Sequence, residues 1–87
     1  MISRTRPSFW RAYAALDNPV KEAARRAYQT FTSNPNHPSL RFKKLQGFEN
    51  VWSVRITDQY RAVGEREGDV IEWAWIGSHN EFDSRFG

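Results

Sequence analysis

The chain has 87 residues, of which 39% are hydrophobic, 15% aromatic and 26% charged. This length suits a single domain over residues 1–87 and excludes a multidomain enzyme or a cofactor fold that needs several βαβ units. The sequence has no cysteine, which excludes disulfides, thiolate metal sites and thiol nucleophiles.

Charge is distributed unevenly along the chain, whose net charge is +3. Residues 1–47 hold nine Lys or Arg against two acids, a net +7, whereas residues 48–87 hold four Arg against eight acids, a net −4. A basic half favours a polyanionic partner, either a nucleic acid or an acidic protein segment, although many small solvated domains are equally basic.

The N-terminus has no long apolar stretch, because Ile2 is followed by Ser3, Arg4, Thr5, Arg6 and Pro7. We therefore expect neither a signal peptide nor a membrane span. Together with the lack of cysteine, this predicts a cytoplasmic protein without a membrane partner.

Two helices are predicted after a short basic arm at residues 1–7. Ser8 is the expected N-cap of the first, whose apolar face comprises Phe9, Ala12, Tyr13 and Leu16. The second starts with Asn18 as cap and Pro19 at its first helical position, and the turn at residues 33–36 ends it. Its apolar stripe of Val20, Ala24, Ala27 and Phe31 predicts that the two helices form an antiparallel hairpin.

Strands are predicted in the remainder of the chain. Residues 40–45 form a short edge strand, and residues 52–57, 60–65 and 70–76 form a meander, because their connections are too short for parallel pairing. In the first meander strand Trp52, Val54 and Ile56 point inward, while Ser53, Arg55 and Thr57 point outward. The fold class is therefore α+β, an N-terminal helical hairpin packed on a three- to four-stranded antiparallel sheet.

Arg55 and Arg61 lie on successive strands and are expected to come close together on one face. Neighbouring guanidinium groups need an anion between them, and a phosphate that accepts bidentate hydrogen bonds suits them best. The alternative is that both are solvated or paired with Glu65 and Glu72.

Further cations and aromatics precede and line the sheet. Arg41, Lys43 and Lys44 form a basic run that either contacts a polyanion or is simply solvated. Trp52, Trp73 and Trp75 could stack on bases, but alternating strand aromatics are more often core residues.

Two histidines are candidates for proton transfer near neutral pH. His37 precedes Pro38 in a loop and is expected to cap a turn. His79 follows the last strand in another loop, beside the predicted arginine pair, and this combination suits cleavage of an RNA phosphodiester bond. We expect no metal, since the histidines lie far apart in sequence and no carboxylate lies at ligand spacing.

Three segments resemble the RelE/ParE superfamily of bacterial toxins, in its RelE/HigB-like branch. They are residues 34–45 (NPNHPSLRFKKL), 52–63 (WSVRITDQYRAV) and 75–82 (WIGSHNEF). The resemblance implies a RelE-like, microbial-RNase-like fold, a toxin of a type II toxin–antitoxin system that cleaves mRNA on the ribosome, and silencing by a cognate antitoxin.

The resemblance also implies roles for individual residues. Arg61 would hold the phosphate, Arg55 would be the basic residue of the preceding strand, and His79 would transfer protons. Lys43, Lys44 and Arg41 would bind the RNA backbone. Three features depart from the family pattern. Phe82 stands where many members have a tyrosine, and it could only stack on a base or pack. Ser53 stands where some members have a lysine, and we expect no additional helix before Gly87.

Three functions follow as alternatives. The first is a ribosome-dependent mRNA endonuclease that uses no cofactor and inhibits translation. The second is a ParE-like, non-catalytic inhibitor of DNA gyrase, and the third is an inactive toxin-like domain that only binds an antitoxin. In each case we expect the cognate antitoxin to be acidic, partly disordered and ordered on binding.

Overall fold

The computed structural model describes residues 1–86, which form three α-helices, five strands and one 3₁₀ turn. In chain order these are β1 (Ile2–Thr5), α1 (Pro7–Ala14), α2 (Asn18–Ser33), the 3₁₀ turn Pro38–Leu40, β2 (Lys43–Lys44), β3 (Val51–Thr57), β4 (Tyr60–Glu67), β5 (Val70–Ser78) and α3 (His79–Phe86).

The sheet has the strand order β1-β5-β4-β3-β2. Strands β2 to β5 are antiparallel neighbours, as expected, but β1 pairs parallel to β5, from Ile2 opposite Val70 to Thr5 opposite Trp73. The α+β class is confirmed, whereas the expected count of three to four antiparallel strands is wrong, since the sheet has five strands and is mixed. The difference arises because the supposed N-terminal arm pairs with the last strand, which lies far away in sequence.

The helical hairpin is present, with α1 starting two residues and α2 one residue earlier than predicted. Arg6 is the N-cap of α1 and Pro7 its first residue, while the Ser8 hydroxyl donates to the Ala74 carbonyl at 2.7 Å and ties α1 to β5. Asp17, not Asn18, is the N-cap of α2. In both helices a proline occupies the first turn, where its missing N–H costs no hydrogen bond.

The core lies between the hairpin and one face of the sheet. Its fully or nearly fully buried members include Phe31, Leu40, Val54, Ile71, Trp73 and Ile76, and Trp52 and Ile56 pack against them. The expected inward face of β3 is therefore confirmed. Burying each of the large side chains contributes about 1.5–3 kcal/mol before conformational entropy is subtracted.

Helix α3 covers the opposite face, where the sequence led us to expect a loop and no further helix. Both expectations are wrong. Phe86 of α3 contacts Trp75 and Phe48, with ring centroids 5.7 and 6.0 Å away. Ser53, predicted to point outward, does lie on this second face but is completely buried.

Candidate functional site

Arg61, His79 and Phe82 meet at the end of the sheet where β4 begins and β5 ends. The Arg61 Nε lies 3.5 Å from the His79 Nδ1, and the guanidinium carbon lies 5.5 Å from the centre of the Phe82 ring. The His79 and Phe82 rings stack, with centroids 6.3 Å apart and an angle of 22°. A cation, an imidazole and an aromatic surface thus share one partly exposed site.

The backbone holds this site together. Arg61 lies opposite Gly77 across β4 and β5, and His79 follows two residues later as the first residue of α3. The His79 N–H donates to the Gln59 carbonyl at 2.6 Å and fastens the helix start to the β3–β4 turn. A side chain at position 77 would overlap the Trp75 ring, so glycine allows that ring to pack closely beside the site.

A capping box determines where α3 begins. The Ser78 N–H and hydroxyl donate to Glu81 Oε1 at 3.1 and 3.0 Å, and the Glu81 N–H donates to Ser78 Oγ at 3.2 Å. These hydrogen bonds from the Ser78 backbone and side chain lower the pKa of the Glu81 carboxyl. The Ser-x-x-Glu spacing is a sequence signal for a helix start, and it could have predicted α3.

Asp83 is a site residue that the sequence interpretation missed. Its Oδ2 lies 3.2 Å from the His79 Nε2, one helical turn away. Residues at positions i and i+4 are neighbours only on a helix, so the His79–Asp83 pair could be found in the sequence only after α3 had been recognised.

Arg55 shares a face with Arg61 but not its surroundings. The two are directly opposite in the β3–β4 register, so their side chains start on the same side of the sheet. The Arg55 guanidinium is, however, paired with Asp58 and lies 3.4 Å from the Ser39 carbonyl. The pKa of Asp58 is lowered by this guanidinium first and by Arg41 to a lesser degree. The structure therefore brings Arg61 and His79 together and directs the Arg55 guanidinium away from them.

The basic run before the sheet is exposed. Lys43 is paired with Ser53 and thus lies on the face that carries Arg61, whereas Lys44 is paired with Trp52 on the core face. Arg41 follows the 3₁₀ turn in a left-handed backbone conformation with φ 45°. Of the three, Lys43 has the register that suits a contact with a ligand at Arg61.

His37 lies apart from this site. Its Nδ1 accepts a hydrogen bond from the Ser39 N–H at 3.2 Å and caps the 3₁₀ turn. Among residues 1–86 there is no group of three or more His, Cys, Asp or Glu arranged to hold a metal ion. Within the same range, every helix is too short or too polar to cross a membrane.

The solved structures that share this fold include toxins of toxin–antitoxin systems. A chain of the RelB–RelE antitoxin–toxin complex from Methanococcus jannaschii matches with a TM-score of 0.77 at 15% identity, covering 97% of this chain and 99% of that one. The YoeB/ParE toxin from Agrobacterium tumefaciens matches at 0.70 and 22%, with coverage of 91% and 99%. YafQ from Escherichia coli matches at 0.73 and 10%, with coverage of 98% and 97%. At these identities the likeness establishes the fold.

The sequence itself places the chain in a family. Residues 18–84 match the family model of the ParE-like toxin domain, so the chain belongs to that family. The expected membership of the RelE/ParE superfamily is thereby confirmed. No curated protein sequence matches the chain significantly.

Proposed function

We propose that the protein is the toxin of a type II toxin–antitoxin pair and acts as an endoribonuclease on ribosome-bound mRNA. The observation that carries this proposal is the contact between Arg61 and His79, at 3.5 Å, in a partly exposed site. RNA cleavage needs a cation that binds the phosphate and, beside it, a group that can transfer protons near neutral pH.

The reaction uses the RNA 2′-hydroxyl as nucleophile. His79 takes the proton from this hydroxyl, the 2′-oxygen bonds to the adjacent phosphorus, and the bond from phosphorus to the 5′-oxygen breaks. The leaving 5′-oxygen takes a proton from water, and the proton on His79 returns to solvent, which leaves a 2′,3′-cyclic phosphate. Arg61 donates hydrogen bonds to the phosphate oxygens, where negative charge accumulates in the transition state.

Other residues of the site contribute binding. The Phe82 ring, which Arg61 and His79 flank, has no hydroxyl group, but it offers a surface on which an RNA base can stack. Lys43, with Lys44 and Arg41 nearby in sequence, binds the RNA backbone. Arg55 joins Arg61 on the phosphate only if the phosphate displaces Asp58 from its guanidinium.

The test is translation in vitro with mapping of the mRNA ends by primer extension. We expect new 5′ ends with the wild type, a loss of about 100-fold or more in cleavage rate for His79→Ala and Arg61→Ala, and no change for the control Arg11→Ala on α1. Undiminished cleavage by both site variants, or no cleavage by the folded wild type, contradicts the proposal.

A second candidate function is inhibition of DNA gyrase, and the match to the ParE-like toxin family favours it. An inhibitor of this kind needs a binding surface but no proton-transfer group. Supercoiling assays with the wild type and His79→Ala distinguish the two functions, since equal inhibition of gyrase by both proteins with intact mRNA supports the second. A chain that inhibits neither process yet binds its antitoxin would be an inactive toxin-like domain.

We also propose an acidic antitoxin as the partner. The similar structures include complexes with antitoxins, among them the RelB–RelE complex from M. jannaschii and the DinJ–YafQ complex from E. coli. On this chain the groove between β1, α1 and α2 supports such a partner, because it combines Trp10 and Tyr28, 52% and 48% exposed, with the cations Arg4 and Arg25. Aromatic surface bordered by cations suits an acidic amphipathic segment.

A further inference from the structure

The His79 imidazole has a polar neighbour at each of its two nitrogens. Asp83 Oδ2 lies 3.2 Å from Nε2, and Arg61 Nε lies 3.5 Å from Nδ1. An ionised carboxylate can only accept a hydrogen bond, and a guanidinium can only donate one. These neighbours therefore favour a proton on Nε2 and a lone pair on Nδ1.

We propose that Asp83 is a positioning residue that fixes His79 as the Nε2–H tautomer and turns Nδ1 toward the phosphate held by Arg61. Its catalytic consequence rests on the proposed RNA cleavage, whereas the tautomer is a property of the free protein. When RNA binds, the Arg61 Nε–H turns from Nδ1 to a phosphate oxygen, which frees the Nδ1 lone pair to receive the proton of the 2′-hydroxyl. The Asp83 carboxylate stays beside Nε2–H throughout.

The geometry of α3 determines the relative positions of His79 and Asp83. The capping box sets the helix start at Ser78, so His79 occupies the first helical position and Asp83 lies on the same side one turn later. The Phe82 ring lies beside the imidazole and nearly parallel to it, with ring centroids 6.3 Å apart. Arg61 approaches from β4, so the two ends of the imidazole face different elements of the fold.

The His79–Asp83 pair is poorly placed to act as a stabilising ion pair. The His79 side chain is 47% exposed and that of Asp83 58%, and exposed pairs of this kind contribute about 0–1 kcal/mol. The tautomer of His79 matters more for the reaction. In the Nδ1–H tautomer, the Nδ1–H points at the Arg61 N–H, and Nδ1 cannot accept the proton of the 2′-hydroxyl. The His79–Asp83 pair therefore affects the ability of His79 to accept a proton more than it affects the stability of the fold.

The primary test is ¹⁵N NMR of the His79 side chain in the free protein at alkaline pH, where imidazoles are neutral. We expect the Nε2–H tautomer in the wild type, a larger fraction of Nδ1–H in Asp83→Ala, where only Arg61 still favours Nε2–H, and recovery of the wild-type ratio in Asp83→Glu. Glu49→Gln, which removes the same charge from an exposed loop, is the matched control and should leave the tautomer unchanged. A wild type dominated by Nδ1–H, or a tautomer unaffected by Asp83→Ala, overturns the proposal.

Cleavage kinetics provide the second readout. Asp83→Ala should lower the rate at saturating substrate about 10- to 100-fold with little change in the half-saturating concentration, and Asp83→Glu should restore most of the rate. An unchanged rate in a variant whose tautomer has shifted overturns the catalytic consequence. If the wild type shows the expected tautomer but cleaves no RNA, the proposed function fails while the tautomer assignment stands, so the two failures are distinguishable.

Discussion

At the scale of single residues, Arg55 and Arg61 lie on adjacent strands but have different environments. Arg61 contacts His79 and Phe82, whereas Arg55 is held by Asp58 and the Ser39 carbonyl. A guanidinium that already has a carboxylate partner must exchange it before it can bind phosphate. Arg61, which faces an imidazole and an aromatic ring, has no such carboxylate to displace among the partners that the structure describes for it.

This difference leads to a prediction for Arg55→Ala. Since the guanidinium lowers the pKa of Asp58, its removal should return that pKa toward the ordinary value of an exposed aspartate. RNA cleavage should fall about tenfold or less, well short of the loss in Arg61→Ala. A carboxyl titration followed by NMR and single-turnover cleavage measure the two effects. An Arg55→Ala loss as large as that of Arg61→Ala would mean that Arg55 already serves the phosphate.

At the scale of elements, α3 connects local stability to the site, because it carries His79, Phe82 and Asp83 together. Its start depends on the capping box of Ser78 and Glu81. Removing an N-cap side chain costs about 0.5–2 kcal/mol, so Ser78→Ala should loosen the helix and weaken the site, although Ser78 is not among the residues proposed to contact the RNA.

The pH dependence of α3 follows from Glu81. Because its pKa is lowered in the folded protein, the unfolded chain binds the proton more readily. The stabilisation is complete above the ordinary glutamate value of about 4.3 and is lost as the pH falls through the lowered pKa. Denaturant unfolding between pH 5 and about pH 3 should show this loss in the wild type and a flatter profile in Glu81→Gln. Identical profiles would show that Glu81 ionisation does not stabilise the fold.

At the scale of the whole molecule, the two sides of the sheet are suited to different tasks. The site at Arg61 and His79 lies with α3 on one face, and the aromatic groove of Trp10 and Tyr28 lies with α1 and α2 on the other. The Trp10 Nε1–H donates to Thr5 Oγ1 at 2.9 Å, which holds the exposed indole in place over the groove. A partner bound there would leave the site itself uncovered unless a further part of that partner reached around the sheet.

This arrangement predicts separable variants. Trp10→Ala and Tyr28→Ala should weaken binding of the cognate antitoxin at least tenfold, because Trp and Tyr are enriched among interface hot spots, whose truncation costs about 2 kcal/mol or more. RNA cleavage by the free protein should stay unchanged, and Gln46→Ala in an exposed loop is the control. Isothermal titration calorimetry measures the affinity; undiminished affinity in both variants would exclude the groove as the binding surface.

The sequence by itself determined the features that depend on neighbouring residues. The spacing of apolar residues predicted both helices of the hairpin and the antiparallel strands β3 to β5, since side-chain periodicity is a local property. Short segments of sequence likewise identified the superfamily. The capping box of α3 is an equally local signal, so the sequence did contain the information for this helix, and our interpretation overlooked it.

Only the tertiary structure decided the contacts between distant segments. The pairing of β1 with β5 joins residues 2–5 to residues 70–73, and no local pattern specifies a parallel partner so far along the chain. The contact of Arg61 with His79 and the diversion of Arg55 to Asp58 depend on side-chain directions at the end of the sheet. Such choices are made by packing and by competition among charged partners, which sequence spacing does not encode.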